Sequence, residues 1–363
     1  KEEHYQVSAF KKRNDFSSVV ATRLRHVSDE MFNEAANLVT VIMPEVLGII
    51  GVSNYTNGAF SGTKVENCFF PKLKRIGNCA FAHSKIKTIS SENFPSLQLI
   101  ERAGFKESSV SSVDLPNLVS IGVDGFRGCN GLKFLTADNL QKIGNCCFQS
   151  CLLTSVCLPN LLSVSYNGFG DCKNLRQFKA PRLGKMGNRC FSNSLITSLY
   201  LPGLVEISEA KCFYDCPVVS LELPNLVSAC QAGFRSCKRL TWFSALGLRE
   251  IGPNCFSDCP QLQSIDCDFR FEKVVCKGYY DYDLKKYCDC NGCPKCRGDV
   301  PKCLVRGKIP RKIKQVLSIW NQGFQCEVAV FAKNASTKQN ILNTESEFQQ
   351  LQIVIENALE LGF

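Results

Sequence analysis

Residues 125–172 read GFRGCNGLKFLTADNLQKIGNCCFQSCLLTSVCLPNLLSVSYNGFGDC. One unit runs through them twice and begins a third time. A small residue precedes Phe at Gly125-Phe126, Cys147-Phe148 and Gly168-Phe169, and Cys follows Phe three residues later at Cys129, Cys151 and Cys172. A short apolar segment comes next, ending in Pro at Leu158-Pro159, and Ile-Gly appears at Ile143-Gly144. Working outward, Phe32, Phe60, Phe81, Phe105, Phe126, Phe148, Phe169, Phe191, Phe213, Phe234 and Phe256 share this pattern, at spacings of 28, 21, 24, 21, 22, 21, 22, 22, 21 and 22 residues. From Phe60 on, the residue before each of them is Ala, Gly or Cys.

A unit of about 22 residues cannot bury an apolar face alone, but stacked copies can, because equivalent side chains meet along one line. Segments such as Leu199-Tyr200-Leu201-Pro202 and Leu221-Glu222-Leu223-Pro224 alternate at period two and read as short strands with Leu inward. Pro, lacking an N–H, ends the ladder. Gly after Ile is expected to supply a turn, and the small residue before Phe to let the backbone pass close to its neighbour. An all-α repeat is the competing reading, and it fits less well because the unit is too short for two helices and is punctuated by Pro and Gly.

The pattern resembles the BspA-like, or Treponema-type, leucine-rich repeats over about residues 24–267. Departures are local: Asp138 and Leu246 replace Pro, and Ser194 replaces Cys. The resemblance implies an α/β solenoid of about eleven coils with a parallel sheet on its concave side. At about 4.8 Å per strand that sheet would extend about 50 Å. Repeats of this type occur in surface antigens and adhesins, so the resemblance implies a cell-surface or secreted binding protein, with a cytoplasmic one as the alternative.

The 23 Cys fall into two populations, sixteen in the repeats and seven in the tail. Ten of the sixteen stand three residues after Phe or directly before it, and a fixed place in the coil argues for buried thiols packed as small hydrophobes. Disulfides between adjacent coils are the alternative. In the tail, Cys288, Cys290, Cys293, Cys296 and Cys303 are dense enough to hold zinc through thiolates. The other readings of this cluster are a disulfide-stapled cap over the open end of the solenoid and iron–sulfur ligation or free thiols.

The remaining segments are short. Residues 1–23 read as an N-terminal cap, helical or irregular, and 268–303 as a Cys- and Tyr-rich capping segment. Residues 304–363 read as a small α+β region, with helices expected near 312–320 and 345–361. The chain has 363 residues, 45% hydrophobic and 21% charged, a globular balance. Its net charge of +10 allows attraction to acidic surfaces without marking nucleic-acid binding. No apolar run reaches the roughly 18–20 residues that span a bilayer. Three His leave little scope for His-based chemistry. No nucleophile–base constellation, phosphate loop or carboxylate pair stands out, so a non-enzymatic role is expected.

Each strand offers two outward positions. One row reads Thr40, Asn67, Thr88, Ser112, Phe134, Ser155, Gln177, Ser198, Ser220, Trp242 and Ser264. The other reads Ile42, Phe69, Ser90, Asp114, Thr136, Cys157, Lys179, Tyr200, Glu222, Ser244 and Asp266. Phe69, Phe134, Tyr200 and Trp242 are expected to face solvent as anchors, with Lys179 and Glu222 as charged contacts, for a protein or glycan partner. A slip of one residue in register would bury all four aromatics. The competing function is an intracellular scaffold with a zinc-stabilised tail.

Overall fold

The computed structural model describes residues 8–51, 57–207, 210–252 and 254–266. The alternating segments form three-residue strands at the expected places, each with its middle residue turned inward. Val41 is fully buried, as are Ile89 and Phe243, while the flanking residues look outward in most coils. Four parallel three-stranded sheets result. They comprise Ser18–Val20, Thr40–Ile42 and Asn67–Phe69; Thr88–Ser90, Ser112–Asp114 and Phe134–Thr136; Ser155–Cys157, Gln177–Lys179 and Ser198–Tyr200; and Ser220–Glu222, Trp242–Ser244 and Ser264–Asp266. Register follows both rows read from the sequence, as in Phe134 opposite Ser112 and Tyr200 opposite Lys179.

The Ile-Gly steps were expected to be turns. They instead build a second sheet, eleven parallel two-residue strands from His26–Val27 to Glu250–Ile251. The Ile or its equivalent points into the core, as at Ile76, Ile143 and Ile207. The Gly that follows is needed for space, not for a left-handed turn. A Cβ on Gly144 would stand 2.6 Å from the carbonyl carbon of Gly122 and 2.7 Å from the nitrogen of Val123, both in the preceding coil. The small residue before Phe also makes room, chiefly for a side chain: a Cβ on Gly125 would lie 2.3 Å from Cγ2 of Ile121.

The fold is a parallel β-solenoid of about ten turns. The helical layer implied by an α/β solenoid is absent among the described residues. Around every repeat Phe but Phe60 the chain enters the left-handed region twice, two residues before it and two after, as at Asn167 (φ 55°) and Asp171 (φ 57°) around Phe169; at Phe60 only Gly62 does so. Such residues cannot continue a right-handed helix. Alternate N–H groups of this segment donate to the next coil, Phe148 to the carbonyl of Gly168 at 2.8 Å and Phe169 to that of Cys190 at 2.9 Å, while others close turns within the coil, as Gln149 to Cys146. The third side of each coil is therefore a hydrogen-bonded staircase of turns.

Inside it the Phe rings form one column. From Phe10 to Phe256 successive rings stack with centroids 5.0–5.7 Å apart and planes within 16° of parallel. Phe16, Phe70, Phe178 and Phe243 meet this column edge-on or tilted. Phe10 was not among the sequence markers. It stacks on Phe32, and Ser18–Val20 pairs with Thr40–Ile42, so the coil pattern begins upstream of residue 24, within the segment read as a cap. The Asn after Pro, given no role in the sequence reading, ties coils together: Asn117 donates to the carbonyl of Pro95, and Asn225 to that of Pro202. The segments read as a Cys-rich cap and an α+β region lie outside the described residues.

Candidate functional site

The three-residue strands position the predicted contact residues on one surface. Phe134 is 66% exposed, Phe69 42% and Tyr200 37%, and Glu222 is also exposed. Trp242 keeps its outward place on the strand but is only half-exposed. Its strand-mate Ser244, in the other outward row, is buried, so this part of the surface is more closely covered.

The structure brings Lys179 and Tyr200 together. They are directly opposite in neighbouring strands, and Lys179 Nζ lies 5.8 Å from the Tyr200 ring centroid, within cation–π reach. Phe69, Phe134 and Trp242 lie in three other sheets. From Phe69 to Trp242 there are eight strand steps, about 40 Å at the ordinary strand spacing. The four predicted aromatics are therefore spread too widely for one small molecule to span.

The residue that leads into each strand also faces outward, beyond the two rows that alternation picks out. Lys133, Thr154, Arg176 and Thr197 are exposed there, as is the first strand residue in each case. Two consecutive exposed residues mark a bend, which a strict period-two reading does not register. The signal was the short stretch of basic and hydroxyl residues immediately before the strands.

Between Asn67–Phe69 and Thr88–Ser90 the ladder is interrupted, and a cleft of about 360 Å³ opens, lined by polar groups including Asn67, Thr88 and Asn93. Asn93 Oδ1 accepts from the Ser90 N–H at 2.7 Å, its Nδ2 donates to the Thr88 carbonyl at 3.1 Å, and Lys87 pairs with Glu66 at 3.7 Å. The cleft largely satisfies its own polar groups.

The repeat cysteines do not build a reactive centre. The ten at the two patterned positions are at most 4% exposed, and among the described residues none is joined in a disulfide. The six that follow Phe by three share one bond. Each donates its S–H to the carbonyl of the Phe one coil earlier, as from Cys151 to Phe126 at 3.2 Å and from Cys172 to Phe148 at 3.1 Å. Loss of water pushes the Cys172 thiol up to about 12 and Cys129 up to about 11. These groups stay protonated and unreactive at neutral pH.

A pH dependence follows. The unfolded thiol loses its proton near 9.0, whereas folded Cys172 holds it to about 12. Stability is therefore fully present below pH about 9 and falls as pH rises from there towards about 12. Urea midpoints on either side of pH about 9 should show this loss, and Cys172→Ser, which carries no titrating thiol, should reduce it. Cys288, Cys290, Cys293, Cys296 and Cys303, the candidate zinc ligands, lie outside the described residues.

Stacked short parallel strands, a Leu-rich core and an exposed variable row on each coil define a leucine-rich-repeat solenoid. A family model for the BspA type leucine rich repeat region matches residues 3–133, 53–176, 98–220 and 206–282, with six copies. These overlapping matches cover well over half of the chain, which belongs to that family.

Among solved structures, a leucine-rich repeat protein from Bacteroides ovatus is similar at 17% identity, over 72% of this chain and 81% of that one, with a TM-score of 0.37. One from Eubacterium ventriosum is similar at 18% identity over 69% and 72%, TM-score 0.38. A leucine rich cell surface protein from Faecalibacterium prausnitzii is similar at 16% identity over 68% and 84%, TM-score 0.35. No curated protein matches the chain significantly.

Proposed function

We propose that this is a non-enzymatic binding protein that holds a protein or glycan partner on the surface of its three-residue strands, at the cell surface or after secretion. The observation that carries this reading is the exposure of Phe134, Phe69 and Tyr200 on strands pinned in register by a continuous core. Large rings held rigidly in water lose little entropy on binding and bury much area, the usual anchor of an interface. Membership of the BspA-type family supports both the binding role and the location. Among the described residues no helix is long and apolar enough to cross a membrane.

Tyr200→Ala is expected to weaken binding of an identified partner by about 2 kcal/mol, roughly 30-fold in Kd. Trp242→Ala is expected to cost less, because its ring is already partly covered. Calorimetric titration measures both; unchanged affinity in correctly folded Tyr200→Ala and Phe134→Ala would remove the proposal.

The unbridged repeat thiols favour one further reading, an intracellular scaffold whose tail cysteines hold zinc. Metal analysis and thiol titration of native protein separate the two: bound zinc with tail thiolates supports the scaffold, and paired tail cysteines support export.

A further inference from the structure

Charge is unevenly distributed along the strand surface. From Lys133 to Tyr200 the four successive strands and their leading residues read Lys-Phe-Leu-Thr at 133–136, Thr-Ser-Val-Cys at 154–157, Arg-Gln-Phe-Lys at 176–179 and Thr-Ser-Leu-Tyr at 197–200. No acid stands at any of these positions. Asp114 and Glu222 lie on the strands just beyond either side. Lys133 and Arg176 are exposed and have no ion-pair partner among the described residues, and Lys179 lies over Tyr200. Around these cations the exposed side chains, besides Phe134, Cys157 and Tyr200, are hydroxyls and an amide: Thr136, Thr154, Ser155, Gln177, Thr197 and Ser198.

We infer that this segment binds an anionic polysaccharide; the inference rests on the strand-surface reading above and names its ligand class. The cations would meet sulfate or carboxylate groups, the hydroxyls and amide would exchange hydrogen bonds with ring hydroxyls, and Phe134 and Tyr200 would lie against the apolar faces of sugar rings. Strands about 4.8 Å apart present these groups at close to the repeat of an extended glycan chain. A folded acidic protein fits less well. Its interface would need a desolvated apolar centre, whereas the two exposed rings here are three strand steps apart with polar residues between them.

The test is titration of the full chain with heparin, hyaluronan, neutral dextran and polyglutamate at moderate salt. Heparin and hyaluronan separate sulfate from carboxylate as the anionic group. Binding of either should weaken at least about tenfold when Lys133, Arg176 and Lys179 are all changed to Ala, and should fall with added salt. Replacing Lys74, Lys142 and Lys185 by Ala removes the same charge from exposed positions beside or on the two-residue strands and should leave binding unchanged. Tyr200→Ala should weaken it without any change in charge.

Equal losses in the two triple variants would overturn the inference in favour of diffuse attraction by the net charge. Polyglutamate bound as tightly as either glycan would overturn it in favour of an acidic peptide. Absence of glycan binding, with a Tyr200-dependent partner still bound, would overturn it while leaving the broader proposal standing.

Discussion

Phe148→Ala is expected to destabilise the solenoid by about 3–5 kcal/mol, the usual cost of emptying a large aromatic site in a core. The ring is fully buried and stacked on both sides, 5.5 Å from Phe126 and 5.2 Å from Phe169. Its removal opens a gap in the column, and the neighbours cannot close it without breaking the N–H bonds that hold the turns, such as Phe126 to Cys147. In a solenoid each coil is stabilised by its two neighbours, so a central defect weakens two coil interfaces. Phe10→Ala is the internal comparison. Phe10 stacks on Phe32 and meets Phe16 edge-on, and its substitution should cost clearly less. Urea denaturation followed by circular dichroism measures both; equal losses would show that the column does not act as a stack.

Gly144→Val is expected to cost about 3 kcal/mol, at the upper end of what overpacking a tight site produces. The nearest atoms to the new Cβ would be backbone, at 2.6–2.8 Å in Gly122 and Val123, so no side-chain rotation relieves the clash. The coils would have to separate here, on the one sheet that runs unbroken through the described coils. Gly184→Ala is the control: a Cβ there would meet nothing nearer than 4.0 Å and should be tolerated. The same denaturation experiment applies. A mild effect at Gly144 would mean that the coils are less tightly stacked than described.

The strand rows were legible because the Leu-x-Leu segments alternate and Pro marks where they end. That fixed which of Phe134, Leu135 and Thr136 lies inside. The second sheet was not legible, because two residues are too few for a periodicity, and Gly after Ile reads equally as a turn or as a close approach. The turn staircase was hidden for another reason. Its left-handed positions are filled mostly by Asn, Asp, Ser, Glu, Lys, Arg, His, Ala and Cys, and only at Gly62 and Gly128 by the Gly that would have announced them. The partial covering of Trp242 was not legible, because alternation gives a side chain's direction and not how far its neighbours cover it. The basic corner at Lys133 and Arg176 was missed because two consecutive residues face out where the chain bends.

The most direct test compares two exposed sets of residues on the same solenoid. One is the set Phe134, Lys179 and Tyr200, drawn from both outward rows of the three-residue strands. The other is Val119, Leu162, Val205 and Val227, exposed apolar residues that precede the two-residue strands. Each residue is changed singly to Ala, and affinity for the bound partner is measured on folded protein. The account predicts losses confined to the first set. Losses confined to the second set would contradict it and move the binding surface to the eleven-stranded sheet.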